Sequence, residues 1–401
     1  WGAWLITIAN YWFGTKQWGG AEFGAIFSTL GLSSIFMPAL TGIIADRWMN
    51  AEKLYGILHI LGGIALAFLP QVNDSTTFFW VMFVAMVFYM PTISLSNSIA
   101  YNILKNSAYD VVKVFPPIRV WGTVGFIVAM WMTNLSGNKA SANQFYIAAI
   151  AAVALGIYSF TLPKCPPQRL TKKDDSWTES LGLDAFKLFA DYKMALFFIF
   201  SMFLGGALQL TNMYGDVYLS DFEKIPEYAD SFVVEYSTII MSISQISETL
   251  FILAIPFFLK RFGIKMVMLF SLLAWVLRFG FFAYGDPHEG LWMIIASCIV
   301  YGMAFDFFNI SGSLFIETST DSKIRSSAQG LFMMMTNGFG AVLGSFVSGY
   351  AIAKYFTTAD GVKDWHNIWL SFALYALIIA IAFAIFFKHK HNPKEVENII
   401  H

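Results

Sequence analysis

The sequence predicts an all-α membrane protein with twelve transmembrane helices arranged as two six-helix bundles. Three observations carry this: the composition, the length of the apolar runs and the placement of the basic residues. Of 401 residues 57% are hydrophobic and 13% charged, whereas a soluble domain is about half apolar and about one quarter charged. Forty-one Phe, thirteen Trp and a mean hydropathy of +0.61 exceed what the core of a water-soluble chain this size can hide, so the surplus needs lipid. The net charge of −1 offers no basic field to a nucleic acid polymer. Cys165 and Cys298 are the two cysteines, far apart, and give neither a metal-ligand spacing nor a disulfide framework.

A bilayer core of about 30 Å needs roughly 20 apolar residues per helix. In chain order, such runs fall at 1–14, 22–45, 53–70, 76–102, 115–135, 144–163, 194–219, 232–258, 264–285, 290–316, 327–353 and 366–387. The chain opens at Trp1 inside an apolar stretch, so the first span is read as truncated and no leader-peptide reading is made. Eighteen of the twenty-five Lys and Arg, from Arg47 and Lys53 to Lys388, Lys390 and Lys394, fall in one set of alternate loops and the C-terminal tail. Five (Lys16, Lys139, Lys224, Lys354 and Lys363) fall in the opposite set, and Arg119 and Arg278 lie within spans. Cytoplasmic loops retain positive charge, so both termini are expected in the cytoplasm.

The longest polar stretch, 164–193, contains Pro166, Pro167 and the cluster Lys172, Lys173, Asp174 and Asp175. It divides the chain into an N-terminal bundle (1–163), a cytoplasmic linker (164–193), a C-terminal bundle (194–387) and a cytoplasmic tail (388–401). Within the linker, Trp177 to Phe189 carries Leu181, Leu183, Phe186 and Phe189 among polar residues. Two readings stay open for it, an amphipathic helix on the inner membrane surface and a solvated connector.

Six spans, a linker and six spans is the layout of secondary transporters, whose site lies between the halves near the midplane. Ionisable groups inside spans are expensive and are the default functional candidates. Span five carries Arg119, Thr123 and Phe126 on one helix face; span seven carries Gln209 and Asn212, with Asp216 nearer the outside. Span eight carries Gln245 and Glu248, span ten Tyr301, Phe305, Asp306 and Asn309, and span eleven Asn337.

Each has a plainer reading as a hydrogen bond that glues helices together. That reading is preferred for Asn337, Ser242 and Ser244. The pairs Gln209/Asn212 and Gln245/Glu248 are read as a site, because two large polar groups on one face at mid-depth exceed what packing requires. Arg119 is open to either a site role or snorkelling to the interface, and Arg278, near the outer end of span nine, is expected to snorkel. Amides present donors and acceptors suited to the edge of a nucleobase. Carboxylate and guanidinium groups bind vicinal hydroxyls, and Phe126, Tyr301 and Phe305 can stack on a planar ring.

The segment Gly42-Ile-Ile-Ala-Asp46-Arg47 after span two resembles the start of the short cytoplasmic loop of the major facilitator superfamily, although Trp48-Met49-Asn50 replaces its usual Gly and basic residues. Longer runs are more specific: Phe115-Pro-Pro-Ile-Arg119-Val-Trp-Gly-Thr123, Ile239 through Leu253, Ala304-Phe-Asp306-Phe-Phe-Asn309-Ile-Ser-Gly-Ser313, Ala328-Gln-Gly330 and Met335-Thr-Asn337-Gly-Phe-Gly340. From end to end the chain is similar to the bacterial nucleoside–proton symporters of that superfamily. The resemblance implies the major facilitator fold and proton-driven uptake of purine and pyrimidine nucleosides. It assigns substrate contacts to Arg119, Thr123, Phe126, Gln209, Asn212, Gln245, Glu248, Tyr301 and Phe305, and Asp216 stands where a neutral amide is expected.

Nucleosides, protons and the lipid bilayer are thus the expected partners of a monomer with no cofactor and no metal. Asp306 is the first choice for proton coupling and Glu248 the second. A proton-coupled facilitator for another polar solute, a sugar or a free nucleobase, is the nearest alternative. An intramembrane enzyme is disfavoured: His59 is the one histidine inside a span, without a partner one turn away, and the buried serines have no base nearby in sequence.

Overall fold

With no water in a bilayer core, a lipid-facing segment must satisfy its own backbone, and apolar runs of spanning length therefore become helices. The computed structural model describes residues 1–109, 111–167, 183–320 and 325–390. It is 82% helical, with no β-strand among the described residues. Among the described residues nine helices are long and apolar enough to cross a membrane, and Asn143–Ser159 is a shorter apolar one. The described residues form two compact units, Trp1–Leu183 and Asp184–His401. The side chains of Asp46 and Arg47, the cluster Lys172 to Asp175 and the tail from 391 onward lie outside the described residues.

In the first unit a π-helical turn, Asn10–Thr15, precedes α1 (Gly20–Arg47), α2 (Ala51–Phe68), α3 (Ser75–Asn106), α4 (Val111–Leu135) and α5 (Asn143–Ser159). Thr7 Oγ1 donates to Gln144 Oε1 (3.0 Å) and Thr133 Oγ1 to the Ala3 carbonyl (3.2 Å), tying the opening segment to α4 and α5. A buried aromatic cluster of Tyr11, Trp12, Phe23, Phe78 and Phe145 fills the space between these helices. Glu52, buried at the start of α2, accepts from the Cys165 backbone N–H (2.9 Å) and pins the chain leaving α5.

The second unit begins with a 3-10 helix, Leu183–Ala190, in which Phe186 and Phe189 stack at 6.1 Å and Phe189 meets Phe198. This is the described half of the linker segment read as amphipathic; residues 177–182 lie outside the described residues. Then come α6 (Tyr192–Asp221), the single turn α7 (Phe232–Glu235), α8 (Ser237–Tyr284), α9 (Leu291–Ala304), α10 (Asp306–Ser319), α11 (Arg325–Met333), α12 (Ala341–Tyr355) and α13 (Trp365–Phe386).

The 48 residues of α8 would extend about 72 Å at 1.5 Å per residue, more than two bilayer cores. They are two arms that meet at Gly263 (φ 77°, ψ 169°), a backbone conformation that favours glycine. This is the basic loop expected between spans eight and nine. The tenth apolar run is a single candidate span, Leu291–Ile316, with one irregular turn at Phe305, whose backbone stays in the helical region (φ −94°, ψ −53°) between α9 and α10. The eleventh contains a π-helical turn, Met334–Gly340, around Asn337. There α6 comes so close that a Cβ at Gly205 would collide with the Thr336 carbonyl, the small-residue approach on which membrane helix packing relies. Large apolar side chains such as Trp121, Ile150, Leu253 and Val347 stay exposed, a surface that suits acyl chains and not water.

Candidate functional site

Two adjacent faces of the second unit carry the polar residues of spans seven and eight. Gln209 on α6 is buried and Asn212, one turn on, is half-buried; Gln245 and Glu248 on the first arm of α8 are both half-buried. Gln209 Oε1 and Gln245 Oε1 are shielded from solvent and have no hydrogen-bond partner among the described residues. A buried amide oxygen left without a donor costs about 1 to 3 kcal/mol.

Tyr301 on α9 is buried, with the edge of the Trp275 ring against it at 5.9 Å and 89°. Phe305 sits at the junction of α9 and α10, half-buried, and Asp306 opens α10, buried. The Ser271 hydroxyl donates to the Ala304 carbonyl and the Ser247 hydroxyl to the Ile299 carbonyl. Two α8 residues thus tie this stretch to α8. At Gly302 a Cβ would lie 2.5 Å from Ser247 Oγ, so glycine is needed for this approach of α9 to α8.

Arg278 corrects the sequence expectation. It does not snorkel: it is fully buried, donating from Nε to Thr211 Oγ1 (3.1 Å) and from Nη1 to Ser244 Oγ (3.3 Å) and the Ser297 carbonyl (2.8 Å). Its guanidinium carbon lies 4.5 Å from the centre of the Tyr301 ring. The partners come from three separate segments, so no local pattern announces them; the one available signal was an arginine in an apolar run. Asp216 is also fully buried. Of the residues read as helix glue, Ser244 does join two helical segments, through Arg278, whereas Ser242 Oγ donates to the Ile239 carbonyl (2.6 Å) and Asn337 faces Met333 on its own helix.

In the first unit the candidates share one face of α4. Arg119 is exposed, while Thr123 and Phe126 are half-buried. The Phe126 carbonyl is approached so closely by Gly2 that a Cβ there would collide with it, and Trp1 stacks on Tyr89 of α3 at 4.3 Å. His59 is buried against Tyr55 (4.4 Å) and Tyr89 (6.1 Å). Among the described residues no group of three or more His, Cys, Asp or Glu could hold a metal ion.

Comparison with known proteins completes the description. The profile of the family described as "Nucleoside H+ symporter" matches residues 1–392. The nucleoside permease NupG of Escherichia coli K12 is 52% identical over 392 residues, covering 98% of this chain and 93% of that protein. A xanthosine permease of the same organism is 52% identical over 399 residues, covering 99% and 95%. The crystal structure of a point mutant of NupG superposes with a TM-score of 0.93 at 51% identity, covering 97% of this chain and 96% of that one. At 12% identity, a bacterial homologue of the lysosomal transporter Spinster superposes with a TM-score of 0.67, covering 100% and 94%.

Proposed function

The chain belongs to the nucleoside–proton symporter family, and from that premise we propose a mechanism in which nucleosides and protons enter together by alternating access. It is a multi-pass membrane transporter of the major facilitator fold, not an enzyme. We read it as twelve inner-membrane spans with both termini cytoplasmic and as a monomer embedded in lipid. The bundles are 1–163 and 194–387, the linker is 164–193 and the tail is 388–401. The nucleoside is assigned to Arg119, Thr123 and Phe126 of the first bundle and to Gln209, Asn212, Gln245, Glu248, Tyr301 and Phe305 of the second.

The observation that carries the assignment is the pair of buried acceptors, Gln209 Oε1 and Gln245 Oε1. They match the N–H donors of a base edge, while their amide nitrogens match its carbonyls. Glu248 and Arg119 suit the ribose hydroxyls, and the aromatic residues suit the base faces. Asp306, buried at the start of α10, is assigned to proton coupling with Glu248 as second candidate. Protonation of a membrane carboxylate shifts which conformations are accessible.

Uptake of labelled uridine by cells expressing the protein, with and without a protonophore and in competition with a panel of nucleosides, free bases and sugars, tests the reading. Accumulation that the protonophore abolishes and that nucleosides alone displace is the expected result. Displacement by a sugar or a free base in place of nucleosides would shift the assignment to another polar solute.

A further inference from the structure

We propose that Arg278 is the positioning residue of the C-terminal half of the nucleoside site, holding the Tyr301 ring and the helix stretches around Gln209, Gln245 and Glu248 in register. The inference rests on the substrate assignment above. Each hydrogen-bond partner of Nε and Nη1 falls within one turn of an assigned residue, and the guanidinium also lies 5.0 Å from the centre of the Phe282 ring. Thr211, which accepts from Nε at 3.1 Å, lies between Gln209 and Asn212. Ser244, which accepts from Nη1 at 3.3 Å, precedes Gln245 and sits one turn before Glu248. Ser297, whose carbonyl accepts from Nη1 at 2.8 Å and whose hydroxyl returns to the Arg278 carbonyl at 2.8 Å, sits one turn before Tyr301. The guanidinium covers Tyr301 at 4.5 Å while Trp275 closes on the ring edgewise at 5.9 Å.

A buried charge is an expensive way to glue helices, and a neutral amide would do so at lower cost. What arginine adds is a rigid planar fork that donates in several directions at once and stacks on an aromatic face. That is what fixing one ring relative to α6, α8 and α9 together requires. Lysine would keep the charge and lose both the fork and the stacking.

The test measures uridine Kd and Tm of the purified full chain for Arg278→Lys, Tyr301→Ala and the double variant. Arg278→Lys is expected to weaken uridine about tenfold, and the double variant to lose less than the two single losses combined, because part of the arginine's effect runs through that ring. In exchange assays its KM should rise while the maximal rate per folded protein holds. A wild-type Kd in Arg278→Lys with only Tm lowered, or two losses that simply add, would overturn positioning while the site assignment stands. A wild-type Kd in Tyr301→Ala would instead remove the site assignment itself. Should Arg278→Lys fail to fold, Thr211→Val with Ser244→Ala leaves the arginine in place. A raised Kd there supports the proposal and an unchanged one overturns it.

Discussion

The two halves of the proposed site are built differently. In the first unit Arg119, Thr123 and Phe126 lie along one face of a single helix, exposed or half-buried. In the second, Tyr301 is locked between a buried guanidinium and an indole edge, with both segments bonded to neighbouring helices. The contrast implies that side chains of the first half act one by one, whereas those of the second share a scaffold. Effects of substitution should accordingly be separable in the first half and coupled in the second.

The sharpest break concerns the proton. Asp306→Asn keeps size and removes titration, so uphill uptake should be lost while nucleoside exchange without a gradient survives. Normal accumulation by this variant would move coupling to Glu248, and loss of binding along with it would make Asp306 a structural acid. Next come the aromatic residues. Because stacking on a base contributes about 1 to 3 kcal/mol, Phe126→Ala, Tyr301→Ala and Phe305→Ala should each weaken binding by roughly one to two powers of ten. Phe126→Ala should do so with Tm unchanged, while Tyr301→Ala also lowers Tm, since it strips the cover from Arg278. Equal Tm values in the two variants would erase the difference between the halves.

A smaller loss, roughly three- to tenfold in Kd, is expected for Gln209→Ala or Gln245→Ala, the scale of one net hydrogen bond each. The smallest effect is one the two units share. Asp74 accepts from the Thr77 N–H (2.7 Å) at the start of α3, and Asp364 accepts from Asn367 through its side-chain Nδ2 (2.7 Å) and backbone N–H (3.1 Å) at the start of α13. These bonds hold both carboxyl groups below the ordinary carboxylate range. Each therefore adds stability that is fully present above the unfolded pKa and lost as pH falls through the lowered folded one. Tm measured between neutral and acid pH should drop less in Asp74→Asn and Asp364→Asn than in the parent, by a few degrees at most.

Most of the fold was legible because lipid enforces a simple length rule: the apolar runs at 22–45, 76–102 and 194–219 are the cores of α1, α3 and α6. The join at Gly263 falls in the gap between the apolar runs 232–258 and 264–285. The irregular turn at Phe305 was not legible, because no proline or glycine stands at it; hydroxyls of Ser247 and Ser271, distant in sequence, bond to carbonyls of the same stretch. The π turn at Asn337 comes from the close approach of α6 and has no local signature either. Within the site, Gln209 and Gln245 stood out as polar groups in apolar runs, whereas Arg278 was misread because its position near a span end satisfies the snorkelling pattern. Only the coincidence of Thr211, Ser244 and Ser297 around it reveals an inward-facing charge.

The central claim is that nucleoside and proton move together, and it is tested most directly by lumen pH in vesicles containing the purified protein, held at zero voltage, when uridine is added outside. Wild-type protein is predicted to acidify the lumen as uridine enters, and Asp306→Asn to exchange uridine without acidification. Entry of uridine into wild-type vesicles with lumen pH unchanged would contradict the account.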